Sequence, residues 1–427
     1  MAGKAKQSSK SFIGTGGFLG FAVVTYVFYT STIIAAQDIL AATSIPTSSI
    51  VTCLILPYVV LSMFFPFLVD KTSLMMKACM AGLFWGIAII VVSLTKRPSV
   101  RLVGVVVASL GMGTAEIGFL SATSLHGDLT IHSFTCGTGV GAVLGTGYFT
   151  VVTTVCCLNP KTALLLLLVL VPVYPLLAWM INKNARKRVS EEVEYTRIGD
   201  SPPSSQDGDQ ENDQEIHPKL TWTEKFKAAK DSLHLAVPLT IGLFADYLIM
   251  QAVVTTLAFK NTRFDPRDHF QYYTFAFWFA ELFGRSYGLA ILSVKPSCSV
   301  VTKHTWILSS ILSFNLIFLI LASWYRFVPH IGIIMLFVIV TGATEGALYL
   351  NTFAVVGKDM QPRYREFSRA FLTFALTLGI VIAALMGLWV ERVLQEHCAA
   401  TVEDTGYCFT RSLHGWNATS SCLLRKY

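Results

Sequence analysis

Long apolar segments that are almost free of charge recur along the sequence and restrict its fold more than any other feature. A helix that crosses a membrane needs about 20 mostly apolar residues, and eleven segments of roughly this length can be marked out. They cover residues 12–36, 50–69, 74–94, 102–124, 130–156, 162–181, 233–257, 270–294, 304–323, 329–353 and 367–390. The sequence therefore predicts an all-α polytopic membrane protein with about eleven transmembrane helices.

The overall composition excludes the other broad classes. Charged residues make up 14% of the chain and hydrophobic residues 53%, whereas soluble proteins contain roughly 25% charged residues. This balance excludes a soluble enzyme, a disordered chain and a disulfide scaffold. The sequence contains no phosphate-binding loop, HExxH or GxSxG motif, so we expect neither an enzyme nor a cofactor nor a metal site. The net charge of +7 reflects topology and predicts no binding to nucleic acid.

The distribution of basic residues predicts the orientation in the membrane. Lys and Arg gather in cytosolic loops, and a cytosolic N-terminus places 20 of the 33 on that side, 12 on the other and Arg285 within a span. The tail after the last span then lies on the lumenal side. Asn417 begins the only glycosylation pattern in the chain, and Cys398, Cys408 and Cys422 cluster nearby. Glycans and lasting disulfides both belong to that compartment.

A polar linker divides the chain into two halves. Residues 190–218 are rich in Ser, Pro, Asp and Glu, a composition typical of disorder. We therefore expect a cytosolic N-terminus (1–11), a six-helix half (12–182), a disordered cytosolic linker (183–232), a five-helix half (233–391) and a lumenal tail (392–427). This 6+5 division is that of a twelve-helix transporter without its last helix.

Short internal repeats indicate that the two halves are related. The fourth span contains Gly113-Thr114-Ala115-Glu116 and the tenth contains Gly342-Ala343-Thr344-Glu345. Tyr26 in the first span and Asp246-Tyr247 in the seventh lie at similar depth. Parallel repeats with a binding site between them are typical of the major-facilitator arrangement. In the fifth span, Gly137, Gly141 and Gly145 predict close helix packing, with a sliding, gating helix as the alternative.

Five charged residues lie well inside the predicted spans: Glu116, Asp246, Glu281, Arg285 and Glu345. Each costs about 2.5–3.5 kcal/mol at a helix centre, so it needs a partner or a water-filled cavity. Glu281 and Arg285 are four residues apart and can pair on one helix face. The pair is either an internal salt bridge or a site where Arg285 binds a substrate phosphate or carboxylate.

The remaining polar residues of the spans extend this predicted site. Tyr247, Gln251 and Asn351 supply hydroxyl and amide groups for substrate binding next to Asp246. Glu116, Glu345 and Asp246 are the candidates for proton coupling, since buried carboxylates can exchange protons in an acidic organelle. The alternative is that each protonated acid only makes a hydrogen bond between helices. In the linker, Tyr195 and Ile198 form a Tyr-x-x-bulky pattern of the kind that sorting adaptors bind.

Several motifs in this sequence resemble the battenin family of lysosomal and vacuolar membrane proteins. They are residues 35–40 (AAQDIL), 116–121 (EIGFLS), 137–139 (GTG), 244–247 (FADY), 283–286 (FGRS), 349–353 (YLNTF) and 365–367 (REF). They occur in order over almost the whole chain. Asp246 stands where family members often have Glu, which preserves the acid. The family's acidic dileucine signal and a prenylation box are absent here.

The resemblance implies a major-facilitator-type fold in a lysosomal or vacuolar membrane, a role in organelle pH and the clearance of small metabolites. It further implies glycerophosphodiesters or basic amino acids as the substrate class, with Arg285 as the residue that contacts a phosphodiester. We therefore expect a secondary transporter that works by alternating access in the lipid bilayer, linked to protons. The alternative is a non-transporting adaptor that regulates trafficking and pH through its linker.

Overall fold

The protein is a bundle of long helices in the computed structural model. The structure describes residues 2–41, 43, 45–64, 73–123, 128–156, 158–183, 220–262, 266–295, 301–402 and 405–410. Within these ranges the regular secondary structure is entirely helical. Tyr195, Ile198, Asn417 and Cys422 lie outside the described residues.

The described residues of the first half form eight helices. They are α1 (Ala2–Ile34), α2 (Ala36–Ile39), α3 (Ser48–Phe64), α4 (Leu74–Leu94), α5 (Pro98–Ala122), α6 (Asp128–Thr150), α7 (Pro160–Leu166) and α8 (173–183). A π turn, Val151–Val155, extends α6, and a 3₁₀ turn, Leu167–Leu170, follows α7. Together, α7 and α8 form the sixth predicted span.

The part of the second half that the structure describes forms five helices. They are α9 (Trp222–Leu248), α10 (Pro266–Val294), α11 (Thr305–Tyr325), α12 (Ile331–Asp359) and α13 (Pro362–Thr401). A π turn, Ile249–Val253, and a 3₁₀ turn, Val254–Thr256, continue α9. A short 3₁₀ helix, Thr405–Tyr407, follows α13.

Local capping signals determine where several helices begin. The Ser73 hydroxyl accepts a hydrogen bond from the Met76 backbone N–H at the start of α4. Thr221 and Glu224 form a reciprocal capping box at the start of α9. Such side chains satisfy backbone N–H groups that have no partner in the first turn of a helix.

Each of the eleven predicted spans lies on a helix, but several boundaries differ. Nine helices in the described part of the chain are long and apolar enough to cross a membrane, and Ser48–Phe64 is a shorter apolar helix. The predicted linker (183–232) is too long, because α9 already begins at Trp222. The last span is longer than predicted, because α13 continues to Thr401.

The two halves have three helix contacts in common. In the first half α1 packs against α6, α3 against α5 and α4 against α5. Counted by membrane span, α9, α10, α11, α12 and α13 correspond to α1, α3, α4, α5 and α6. The matching pairs are present in the second half: α9 with α13, α10 with α12 and α11 with α12. Between the halves, α6 packs against α10 and α3 against α13. These two contacts are equivalent if the halves are exchanged, as parallel repeats require.

Glycines allow the closest of these contacts. A Cβ atom added at Gly137, Gly141 or Gly145 of α6 would lie 2.4–2.7 Å from backbone oxygens of α1. In the second half a Cβ atom at Gly379 of α13 would lie 2.4 Å from the Thr240 oxygen of α9. The glycine row of the fifth span therefore packs α6 against α1, and the matching helix pair of the second half has the same kind of contact.

Candidate functional site

A polar cavity lies between the two halves, at the middle of the bundle. Its volume is about 20 Å³, which is enough for one or two water molecules because each needs about 10–15 Å³. The lining side chains come from seven helices. They are Tyr26, Tyr29, Ile55, Tyr58, Met112, Glu116, Leu243, Tyr247, Arg285, Glu345, Tyr349, Leu376 and Ile380.

Arg285 of α10 connects both halves at this cavity. Its guanidinium forms ion pairs with Glu281, one turn earlier, and with Glu345 of α12, where Nη2 lies 3.1 Å from Oε1. The Nη1 atom donates to the Thr138 hydroxyl of α6 over 2.8 Å. The predicted pairing of Glu281 with Arg285 is therefore present, and Glu345 joins the pair from a second helix.

Two tyrosine rings flank the same guanidinium. Its carbon lies 4.3 Å from the ring centre of Tyr349 and 5.2 Å from that of Tyr26. A cation within about 6 Å of an aromatic ring centre is attracted by the ring, more strongly where water is excluded. Arg285 is only 4% exposed, so these contacts help to stabilise its buried charge.

Glu116 of α5 lies on the other side of the cavity and accepts three tyrosine hydroxyls. Tyr26 donates to Oε1 over 3.0 Å, Tyr58 to Oε2 over 2.9 Å and Tyr349 to Oε1 over 3.1 Å. Tyr26 and Tyr58 belong to the first half, whereas Tyr349 belongs to the second. The carboxylate is therefore hydrogen-bonded from both halves.

Asp246 and Tyr247 of α9 lie close to this cluster. The Tyr247 hydroxyl is 2.5 Å from that of Tyr29, so this contact connects α9 with α1. Asp246 is 2% exposed and does not line the cavity. Its Oδ1 atom makes no hydrogen bond within the described part of the protein. Asp246 is thus a buried acid with unused hydrogen-bonding capacity.

Of the other predicted substrate-binding residues, Glu281, Gln251 and Asn351 are also not among the residues that line the cavity. Gln251 is within the π turn after α9, and its backbone oxygen accepts the Ser48 hydroxyl. Asn351 donates to the Tyr287 hydroxyl and accepts the backbone N–H of Thr302. Asn351 thus connects α12 with α10 and with the segment before α11, which is a contact within one half.

Apart from Tyr247, the tyrosines that line the cavity were not predicted as site residues. Tyr26, Tyr29, Tyr58 and Tyr349 all lie in predicted spans, and a buried hydroxyl needs a hydrogen-bonding partner. Tyr26 and Tyr29 are three residues apart and therefore share a helix face. This spacing was the signal that could have identified them. Among the described residues no group of His, Cys, Asp and Glu is arranged to hold a metal ion.

The fold is similar to that of solved structures that share little sequence identity with this chain. A bacterial homologue of the human lysosomal transporter Spinster, in an inward-facing, unoccupied conformation, aligns with a TM-score of 0.56 at 14% identity, over 93% of this chain and 88% of its own. The same homologue in an occupied inward-facing conformation gives a TM-score of 0.53 at 14% identity, over 92% and 86%. The predicted fold class is confirmed.

The chain belongs to the CLN3 protein family, which its residues 16–397 match. Protein BTN1 of Yarrowia lipolytica is 26% identical over 92% of this chain and 96% of its own length. Protein BTN1 of Kluyveromyces lactis is 29% identical over 89% and 94%, and battenin of Canis lupus familiaris is 25% identical over 81% and 76%. The resemblance to the battenin family is confirmed, and the long apolar helices fit a multi-pass membrane protein.

Proposed function

We propose that the protein is a proton-linked secondary transporter of small polar metabolites that works by alternating access. Arg285 carries this proposal: it is the only Lys or Arg among the residues that line the cavity, and it contacts both halves. A site between two halves becomes accessible to each side of the membrane in turn when the halves rock against each other.

The groups around the cavity support the substrate class that the family resemblance implies. The planar guanidinium of Arg285 matches a phosphate or carboxylate with two parallel hydrogen bonds. Glu281 and Glu345 form ion pairs with this guanidinium, and an anionic substrate would replace part of these contacts. The rings of Tyr26 and Tyr349 offer faces that attract an ammonium group. Basic amino acids combine such groups, and so do glycerophosphodiesters with an ethanolamine or choline head group.

The excess of buried carboxyl groups over buried basic groups supports proton linkage. Glu116, Asp246, Glu281 and Glu345 are each at most 2% exposed, and Arg285 neutralises only one carboxylate. Three further buried negative charges would cost several kcal/mol each. We infer that protons bound to Glu116, Glu345 or Asp246 reduce this excess, and that their release accompanies substrate movement.

The small cavity indicates a state in which the halves are closed around the cluster. A volume of about 20 Å³ holds no metabolite, whereas small-molecule sites usually measure at least about 300 Å³. Substrate entry therefore requires the two halves to separate. The hydrogen bonds from both halves to Glu116 and Arg285 are the contacts that must then rearrange.

Transport by the purified full-length chain in liposomes tests this proposal. Labelled glycerophosphodiesters and basic amino acids are offered with and without a pH gradient, and a protonophore is added as a control. We expect one substrate class to accumulate only while the gradient lasts. If correctly folded protein moved neither class under either condition, the non-transporting adaptor would be the better proposal.

We further propose that the protein resides in a lysosomal or vacuolar membrane, with its N-terminus in the cytosol. The disulfide between Cys398 and Cys408 supports a lumenal position for the end of α13, since disulfides persist in oxidising compartments. Removal of a glycan by Asn417→Gln would support the same orientation. Loss of adaptor binding and of organelle residence on Tyr195→Ala or Ile198→Ala would identify the sorting signal.

A further inference from the structure

We infer that Glu391 of α13 and Thr410 latch the two halves together at the end of the bundle that carries the disulfide, and that transport requires this latch to open. This inference rests on the proposed alternating access. The end concerned is called the disulfide face and comprises Gln37, Ser48, Thr255, Glu391, the Cys398–Cys408 disulfide and Thr410. Neither Glu391 nor Thr410 lines the central cavity.

Glu391 binds the first turn of α3 across the boundary between the halves. Its Oε1 atom accepts the Thr47 backbone N–H over 3.2 Å, and Oε2 accepts the Ser48 backbone N–H over 3.3 Å. The Ser48 hydroxyl lies 3.3 Å from the same Oε2. Glu391 is 1% exposed, so water does not compete for these contacts. A carboxylate at a helix N-terminus is also stabilised by the helix dipole.

A glycine on α13 makes room for this contact. Gly387 lies one turn before Glu391 on the same face, and a Cβ atom there would lie 2.6 Å from the Ser48 hydroxyl oxygen. The same hydroxyl lies 3.1 Å from the Gln251 backbone oxygen. With one proton to donate, the Ser48 hydroxyl bonds to α13 or to the π turn after α9. Both are parts of the second half.

Thr410 forms a second connection across the boundary. The Gln37 side chain of α2 donates to the Thr410 hydroxyl oxygen over 2.8 Å. That hydroxyl donates to the Thr255 backbone oxygen over 3.0 Å, and the Thr410 backbone N–H donates to the same oxygen over 2.9 Å. Gln37 belongs to the first half and Thr255 to the second. The disulfide between Cys398 and Cys408 ties the segment before Thr410 to α13.

Both connections lie at one end of the bundle and neither can persist if the halves separate there. Opening towards the disulfide face moves α2 and α3 away from α9 and α13. The Glu391 and Gln37 hydrogen bonds must then break, whereas the bonds between Thr410 and Thr255, together with the disulfide, stay within the second half. Glu391 therefore positions the halves relative to each other without contacting the substrate.

Distance measurements across the disulfide face test the latch without relying on transport. Click-reactive amino acids at Arg97 and Asn261, both exposed, carry the two dyes for single-molecule fluorescence energy transfer in full-length protein in lipid nanodiscs. Arg97 precedes α5 in the first half, and Asn261 follows α9 in the second. The parent protein should show mainly the short distance.

The latch variants are Glu391→Gln and Thr410→Val, each of which preserves the shape of the side chain. We expect Glu391→Gln to raise the ratio of long to short distances about tenfold, because each lost hydrogen bond to a charged group corresponds to a factor of about ten or more. Thr410→Val should raise it less, since the backbone bond to Thr255 remains. The matched controls Glu396→Gln and Thr401→Val, both at exposed positions of α13, should leave it unchanged.

The inference is overturned if Glu391→Gln and Thr410→Val give the same distances as their controls. Should Glu391→Gln fail to fold, Thr410→Val decides the question alone. A raised ratio in protein that transports nothing would support the latch and contradict the proposed function. Unchanged distances in variants of a protein that transports would contradict the latch and leave the proposed function supported.

Discussion

Tyr58 shows how one hydroxyl contributes to the buried cluster. It is the only tyrosine that donates to Oε2 of Glu116 in the described structure. A buried acceptor that loses its donor costs about 1–3 kcal/mol. We therefore expect Tyr58→Phe to lower the free energy of unfolding by about that amount, seen as a lower midpoint in thermal unfolding. Tyr325→Phe, at a tyrosine that is 68% exposed, should have the same midpoint as the parent; an equal loss in both would contradict the role of Tyr58.

For individual residues, the sequence predicted which side chains interact better than it predicted where they lie relative to the cavity. The four-residue spacing of Glu281 and Arg285 was enough to predict their pairing. Asn351, a predicted substrate-binding residue, does not line the cavity: it follows the cavity-lining Tyr349 by two residues, which places it about 200° around the helix. Gln251 follows Tyr247 by four residues, but the π turn from Ile249 to Val253 adds a residue and turns Gln251 away from the cavity. Periodicity does not reveal such a turn.

Glu391 was missed for a different reason. The apolar run of the last span ends at Val390, so hydropathy leaves the next acid outside the span. In the structure α13 continues to Thr401 and buries Glu391 against the start of α3. Its burial depends on a helix from the other half, and such a contact leaves no signal in the local sequence.

The contact between α6 and α1 gives a prediction at the level of helices. A methyl group at Gly141 would lie 2.4 Å from the Val23 backbone oxygen, whereas at Gly147 it would lie 3.5 Å from the nearest atom, in the Phe275 ring. Crowding a packed interface costs about 1–3 kcal/mol. Gly141→Ala should therefore lower the thermal unfolding midpoint by several degrees, and Gly147→Ala should not. Equal midpoints for the two variants would contradict the close packing of α6 against α1.

The start of α9 lies outside the membrane. The helical run from Trp222 to Thr256 has 35 residues and measures about 52 Å at 1.5 Å per residue, whereas the hydrocarbon core is about 30 Å thick. Lys225, Lys227 and Lys230 follow the first turn. Glu224 in that turn accepts the Thr221 backbone N–H and hydroxyl, and it pairs with Arg363 at 3.0 Å.

These contacts predict how pH affects α9. The Thr221 backbone N–H, then its hydroxyl and the nearby Arg363, lower the pKa of the Glu224 carboxyl below its ordinary value. A lowered pKa in the folded state gives stability that is present above the unfolded value of about 4.3 and is lost as the pH falls through the folded value. The difference in thermal midpoint between the parent and Glu224→Gln should therefore be present at pH 7 and vanish in strong acid. A difference that grew on acidification would contradict this account.

At the level of the whole molecule, the internal repeat was predictable and the interface between the halves was not. Glu116 and Glu345 were found in the sequence within matching motifs. They lie in α5 and α12, the fourth span of each half, and both line one cavity. Hydropathy also located the long helices, nine of which, in the described part of the chain, are long and apolar enough to cross a membrane. The pairing of α6 with α10 and of α3 with α13 depends on contacts between distant segments, which only the folded structure reveals.

Arg285 and Glu116, as proposed above, belong to one transport site that both halves share. Substrate flux into liposomes, driven by a pH gradient, tests this shared site when the parent is compared with Arg285→Ala, Glu116→Gln and the exposed control Arg392→Ala. We expect both site variants to lose at least about tenfold in flux, since each removes charge-assisted contacts worth about 1.5–3 kcal/mol, while Arg392→Ala transports like the parent. If well-folded Arg285→Ala and Glu116→Gln both transported at the parent's rate, the cavity between the halves would not be the transport site.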